Sequence, residues 1–477
     1  MPTITDQFHS LGDVGWYGSS YLITSCAFQL LFGKIYTFYS PKWVFLSAIG
    51  LFEIGSVVCG AAPNSKSFIV GRAIAGLGSA GVFSGAIIII VYLIPLHKRP
   101  IFQGIIGACF GIASVVGPVL GGAFTANVSW RWCFYINLPI GAATVAIIFV
   151  ILKLPSPEKG NQSLRQQLIQ LDPLGTLFFL PSTVCLLLAL QWGGSTYAWS
   201  DERIIALLVL FGVLSITFVA IQIWKQESAT VPPRIIKQRS IAGAVWYSIC
   251  IGASLQVMVF TLPIWFQAIK GVSPVKSGID NIPLVIALVV ASIFSGGLVS
   301  KLGYYTPFMI ASSIIMSAGA ALITTFKQNT GHAEWIGYQV IYGFGLGLGM
   351  QQSAIGTQTV LPRQDIPVGA SLMFFAQSLG GAIFVSVSQN IFDNDLVSGL
   401  AKVAGLNPKT VITTGATNLR AVVTSDQLSG VLAIYNEALA HAFDVALAVS
   451  CASIVGALVM EWKSVKKARQ APPTERA

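Results

Sequence analysis

Apolar and polar positions along this chain fall in long blocks instead of alternating. Apolar runs occupy roughly residues 16–38, 43–62, 67–93, 101–124, 132–152, 174–192, 203–223, 241–267, 279–300, 306–326, 335–361, 367–391 and 441–460. A helix crossing the hydrocarbon core needs about 20 apolar residues. Each run therefore predicts a transmembrane helix, thirteen spans in all. The longest polar connections, 153–171 and 392–440, are too short to form a catalytic domain.

Composition agrees. Charged residues make up 10% of the 477 and hydrophobic residues 54%, with a mean hydropathy of +0.73. An average soluble domain is about 25% charged. The expected solvent is the lipid bilayer and the expected class is an all-α polytopic membrane protein. The first ten residues are polar, so no cleavable signal peptide is expected. The seven cysteines stand singly with no CxxC spacing, and His9, His97, His332 and His441 are far apart in sequence. Neither a disulfide framework nor a metal site is indicated, and no cofactor is expected. No nucleophile–base cluster or Walker A motif appears, so the chain reads as neither an enzyme nor an ATPase.

Lysine and arginine set an orientation. One series of alternate loops holds Lys34, Lys42, Lys98, Arg99, Lys153, Lys159, Arg165, Lys225, Arg234, Lys237, Arg239, Lys301 and Arg363, and the tail adds Lys463, Lys466, Lys467, Arg469 and Arg476. The opposite loops hold fewer, among them Lys66, Arg131, Arg203, Lys270 and Lys402. Positive charge favours the cytoplasmic side, which places the first series and the C-terminus there. With thirteen crossings the N-terminus lies outside. The net charge of +10 then has a topological cause, and no nucleic-acid partner is needed to explain it.

The chain also repeats itself. A shift of 267 residues pairs Arg72 with Gln339, Gly76 with Gly343, Gly78 with Gly345, Pro95 with Pro362 and Pro100 with Pro367. One loop earlier a shift of 263 pairs Gly33 with Gly296. Parallel repeats of this kind build many secondary transporters. The expected organisation is an N-terminal half over 1–152, a loop and two linker helices over 153–225, a C-terminal half over 226–462 and a basic tail over 463–477. Span 241–267 has no partner in the first half, which shows five spans against six. The expectation is that a first helix is missing ahead of Met1.

Several stretches resemble the major facilitator superfamily, specifically its fourteen-helix drug–proton antiporters of fungal type. These are "GPVLGG" at Gly117–Gly122, "WRWCFYINLPIG" at Trp130–Gly141, "GRAIAGLGSAG" from Gly71, "LDPLGTLFF" from Leu171 and "GKIYTFYSPKWVFL" from Gly33. The resemblance implies a major facilitator fold acting as a monomer. It also implies export of small hydrophobic molecules, drugs, toxins or secondary metabolites, against inward proton flow. The plasma membrane is the expected location, with the vacuolar membrane as the alternative. The chain departs from the family's gating loop, where Thr37 takes the place of the usual Asp and Ser40 and Pro41 replace a Gly and an Arg. Gly33 and Lys42 remain as candidate gating residues.

Four further features are candidates for function. In "GIASVVGPVLGG", Ala113, Gly117 and Gly121 fall four apart, as do Ser114, Pro118 and Gly122. Rows of small residues let helices approach closely in lipid. Read blandly this is ordinary packing with a tolerated proline kink, whereas the resemblance makes Gly117, Pro118, Gly121 and Gly122 an antiporter motif and a tight joint between halves. Glu53 lies ten residues into span 43–62. A charge there costs about 2.5–3.5 kcal/mol on insertion scales, which makes it functional by default, with a structural carboxyl as the plainer reading. Arg72 lies about 8 Å inside span 67–93. It either snorkels outward or, as the resemblance implies, serves proton coupling with Glu53. Trp246, Tyr247, Gln256, Gln339, Gln351, Gln352 and Gln377 form a candidate substrate pocket for neutral oxygenated molecules, each alternatively interhelical glue. "GLGSAG" at Gly76–Gly81 fits a dinucleotide pattern but lacks the preceding strand, so it binds no phosphate. The rivals to export are uptake on the same fold and a non-transporting remnant.

Overall fold

The computed structural model describes residues 2–8, 10, 13–154, 171–194, 196–402 and 425–466. Residues 155–170 of the expected cytoplasmic loop, and the tail beyond Lys466, lie outside them. Among the described residues the chain is helical, with two isolated bridges and no named strand. In chain order the helices are α1 (Pro2–Phe8), α2 (Val14–Phe38), α3 (Pro41–Ala61), α4 (Ser65–Leu93), α5 (Arg99–Asn127), α6 (Trp132–Tyr135) and α7 (Asn137–Ile151). There follow α8 (Pro173–Trp192), α9 (Glu202–Lys225), α10 (Pro233–Ile236), α11 (Arg239–Ala268), α12 (Pro274–Asp280), α13 (Ile282–Leu302) and α14 (Thr306–Thr324). The last four are α15 (His332–Gly349), α16 (Gln352–Val360), α17 (Ile366–Leu400) and α18 (Ser425–Val459).

Helix starts follow local sequence. A proline in the first turn opens α3, α5, α8, α12, α13 and α14, where its missing N–H costs nothing. Asn64 caps α4 by accepting from the Ser67 N–H, and Asp172 caps α8 by accepting from the Gly175 N–H.

Among the described residues, ten helices are long and apolar enough to cross a membrane. The expected spans 16–38 and 101–124 fall on α2 and α5. Span 335–361 is interrupted at Met350–Gln351, where α15 gives way to α16. The connection 392–440 departs from expectation, because α17 and α18 each run 35 residues and extend well into it. At 1.5 Å per residue each is about 50 Å long, against a hydrocarbon core of about 30 Å. A helix leaving lipid keeps its backbone bonds while its side chains turn polar, so hydropathy alone under-reads its length.

The chain forms two compact units. The first comprises Met1–Arg99, Leu120–Ala242 and Thr357–Phe375, and the second comprises Pro100–Val119, Gly243–Gly356 and Ala376–Ala477.

Within the first unit a Cβ added at Gly55 would strike Ala75 N, one at Gly76 would strike Tyr21 O, and one at Gly78 would strike Phe52 N. Within the second, Gly319 meets Tyr342 N, Gly343 meets Leu284 O and Gly345 meets Met316 N in the same way. The sequence repeat is thus a repeat of backbone-to-backbone approaches. The second unit also holds a strap, in which Val465 N–H donates to Gly303 O and Tyr305 Oη donates to Glu461 O, both at 2.9 Å. Gly303 sits there at φ +98°, a conformation that favours glycine.

Candidate functional site

Arg72 projects from α4 toward the start of α2. Its Nε donates to Tyr17 O at 2.8 Å and its guanidinium lies 4.5 Å from the Tyr21 ring centroid. An unsheddable charge in a span thus finds a carbonyl and an aromatic face instead of a carboxylate. Gln339, its repeat partner on α15, donates to Asp280 O at 3.0 Å. A shift of 263 carries Tyr17 onto Asp280, so the two bonds are equivalent.

Glu53 lies on α3, half-buried, and forms no ion pair with Arg72. Its Oε2 is buried with no hydrogen-bond partner. The carboxylate stands where a Cβ on Gly141 of α7 would be. Gly141 closes the "WRWCFYINLPIG" stretch, and its lack of a side chain makes room for the acid. No local pattern signals this pairing, because the two residues are far apart in sequence. Earlier in that stretch, Arg131 Nη1 donates to Gly60 O at 2.6 Å and Ala62 O at 3.0 Å, closing the C-terminus of α3 with a cation.

Gly33, named with the gating loop, falls within the expected span 16–38. It lies inside α2, where a Cβ would meet Ser371 Cβ at 2.8 Å and Pro367 O at 3.2 Å. Gln29 Nε2 donates to Ser84 Oγ at 2.6 Å, and Ser84 and Ser371 hydroxyls lie 3.0 Å apart, so a buried polar chain ties α2, α4 and α17 at this crossing. Lys42 turns elsewhere and donates to Phe149 O at 2.7 Å. The two residues do not meet.

Along α5 the close packing lies upstream of the expected motif. A Cβ on Gly117 or Gly122 meets nothing within 4 Å, and on Gly121 only Cys133 Sγ at 3.9 Å. Pro118 lies within the helix. By contrast a Cβ on Gly104 would sit 2.5 Å from Ser292 O, one on Gly107 3.2 Å from Ser292 Oγ and one on Gly111 2.6 Å from Val289. On the facing helix, Gly296 of α13 abuts Pro100 O. Helices that cross at an angle touch at one place and diverge beyond it. A stripe of small residues longer than that place is in contact for only part of its length.

The pocket residues, all in the second unit, fall into separate engagements. Trp246 is 46% exposed, not buried, and its Nε1 donates to Ala452 O at 2.8 Å. Tyr247 is buried, with its hydroxyl against Gly349. It thereby lies near Gln351 and Gln352 at the break between α15 and α16. Gln352 Nε2 donates to Leu348 O at 3.1 Å and Ser295 Oγ at 3.3 Å. Gln256 and Gln377 flank the α11–α17 contact, the first against Gly381 and the second against Gly252. Gln339 is taken up by its tether. Tyr247, Gln351 and Gln352 thus gather at the α15–α16 break, while Trp246, Gln256, Gln339 and Gln377 make the separate contacts just given.

Asp172 is the acid of the "LDPLGTLFF" stretch. The residue has φ +53° and is fully buried. Gln222 Nε2 and Thr230 Oγ1 donate to its Oδ2 at 2.8 Å, and Lys225 Nζ lies 3.0 Å from Oδ1. Burial acts to raise its pKa, but the bonds from Gln222, the Gly175 N–H, Lys225 and Thr230 outweigh this and hold it below the usual carboxylate range. Aspartate ahead of Pro173 was the local signal for a cap. Its bonds to α9 and to Thr230 carried none. Among the described residues no cluster of three His, Cys, Asp or Glu side chains can hold a metal.

A bundle of apolar helices with a repeat expressed as equivalent close approaches is the architecture of many secondary transporters. The family model for the Major Facilitator Superfamily matches residues 1–385. The chain is 55% identical over 469 residues to the MFS-type transporter VdtG of Byssochlamys spectabilis, covering 98% of this chain and 84% of that one. It is 57% identical over 468 residues to the MFS-type efflux pump MFS1 of Trichophyton rubrum, covering 98% and 87%. Among solved structures, the proton:xylose symporter XylE is similar in fold at a TM-score of 0.61 and 13% identity, covering 98% of this chain and 93% of that one. Repeat, fold and sequence lead to one assignment: the chain belongs to the major facilitator superfamily.

Proposed function

We propose that this chain is a proton-coupled exporter of small hydrophobic organic molecules, with secondary metabolites as the substrate class. The observation that carries the reading is its 57% identity, over 98% of its length, to a protein named an efflux pump. In this reading residues 1–152 and 226–462 are the two transporter halves, and the protein works as a monomer in the plasma membrane. Its basic loops and C-terminus face the cytoplasm. Glu53 carries the proton, supported by its place within a span and its unpartnered buried Oε2. Arg72 supplies a fixed positive charge on the neighbouring helix.

Inside-out vesicles loaded by the chain with a lipophilic fluorescent dye test this. Dye should accumulate when the lumen is acid and stop when a protonophore is added, and Glu53→Gln should abolish the response while protein level holds. Dye movement indifferent to the pH gradient would overturn the coupling. Accumulation in right-side-out vesicles instead would overturn the direction.

A further inference from the structure

Thr37 stands where the gating loop usually carries an Asp, and the structure shows what it and Lys42 do. Thr37 Oγ1 donates to Gly33 O at 3.0 Å within its own helix, and Lys42 donates to Phe149 O. Yet charge is concentrated beside the crossing of α2 and α17. Asp365, two residues before Pro367 and 7% exposed, accepts from Arg234 Nη1 at 2.6 Å and Nη2 at 3.0 Å. A bidentate pair of this geometry fixes orientation as well as distance. Arg234 Nε also donates to Glu227 at 2.7 Å. These hydrogen bonds, Asp365 first, raise the Arg234 pKa.

Arg234 and Glu227 belong to the segment leaving linker helix α9, which Asp172 anchors through Lys225 and Thr230. Lys34, next to Gly33 and 4% exposed, lies within electrostatic range of Asp172, Asp365, Glu227 and Arg234 and, among the described residues, forms an ion pair with none of them.

The repeat isolates what is added here. The shift that carries Pro100 onto Pro367 puts Lys98 at the place of Asp365. Lys98 makes no ion pair among the described residues, although the equivalent crossing, Gly296 against Pro100 O, is present. Close helix approach is therefore common to both crossings. The Arg234–Asp365 pair occurs at one, and half of it comes from the segment that joins α9 to α11, which has no repeat partner in this sequence.

We propose that Arg234 and Asp365 are a positioning pair that latches the segment joining α9 to α11 onto the α2–α17 crossing. Its making and breaking accompany the transport cycle. This rests on the export reading above. The test uses the full chain in vesicles, with Asp365→Asn, Arg234→Gln and the exchanged double variant Arg234→Asp/Asp365→Arg. Hydrogen–deuterium exchange over residues 31–40 and 363–375 should rise about fivefold or more in each single variant. The maximal dye-export rate should change about threefold or more while KM moves less than about twofold. The exchanged pair should return both quantities toward wild type, which mere packing would not do. Unchanged exchange in both single variants overturns the latch, as does an exchanged pair that folds but behaves like the singles. If wild type exports no dye while exchange still responds and recovers, the latch stands and the export reading falls.

Discussion

At the scale of single residues, the two repeat halves act as each other's control. Arg72 and Gln339 make the same tether to equivalent carbonyls, so a neutral amide suffices for the bond. The guanidinium charge is then surplus to the tether and free for the coupling role proposed above. Arg72→Gln should keep its folded yield and thermal midpoint yet lose proton-driven dye movement. Arg72→Ala should lose both, at about 1.5–3 kcal/mol for a bond to a charged group, read by thermal unfolding. Equal destabilisation by both variants would show that the charge itself holds the fold. Glu53 and Gly141 make a second pair. Gly141→Ala inserts a methyl where the carboxylate lies, an overpacking that costs typically about 1–3 kcal/mol. Adding Glu53→Ala should restore stability without restoring transport, and failure to restore it would place the strain elsewhere.

At the scale of elements, α5 shows both how far hydropathy and spacing reach and where they stop. Its helix, its proline and its small-residue rows were all legible. Which glycines touch a partner was not, because that depends on a crossing angle and on the residues of α13. The test contrasts two sites on one helix. Gly104→Leu should sharply reduce folded yield, since its Cβ direction meets the backbone at Ser292 O. Gly117→Leu should change stability by no more than about 0.5 kcal/mol, both measured by fluorescence-detected gel filtration on heating. Linker helix α8 was legible from its apolar run and from Asp172 before Pro173. The bonds of Asp172 to α9 and Thr230 were not, because they come from residues some 50 positions later. They lower the folded pKa of Asp172 beneath the usual 3.8. Stability from this group is therefore complete above that unfolded value and lost as pH falls through the folded one. The thermal midpoint of wild type should fall on acidification below about pH 4, and Asp172→Asn should remove that part of the slope.

For the whole molecule, the repeat was legible as matched glycines and prolines, since equivalence survives in the letters. Which helices pair was not legible, because a repeat states what corresponds and not what touches. The first unit takes in Thr357–Phe375 and the second takes in Pro100–Val119. Gly33 meets Pro367 O and Ser371 in one, and Gly296 meets Pro100 O in the other. These crossings are equivalent in place and unequal in material. Around Gly33 the nearest obstruction is a serine side chain at 2.8 Å, with Pro367 O at 3.2 Å, whereas around Gly296 the three nearest atoms are all backbone. A side chain can be trimmed and a backbone cannot. Gly33→Ala should therefore impair dye export, and Gly33→Ala/Ser371→Gly should recover most of it, because the added methyl fills the space that the serine leaves. Gly296→Ala should be more severe, and trimming a neighbouring side chain should not rescue it, because the methyl faces the Pro100 carbonyl. Export rate per folded molecule is the measurement for all three variants. If Gly296→Ala transports as well as the rescued pair, the second crossing opens freely enough to absorb a methyl. The two ends of the repeat would then contribute unequally to the cycle.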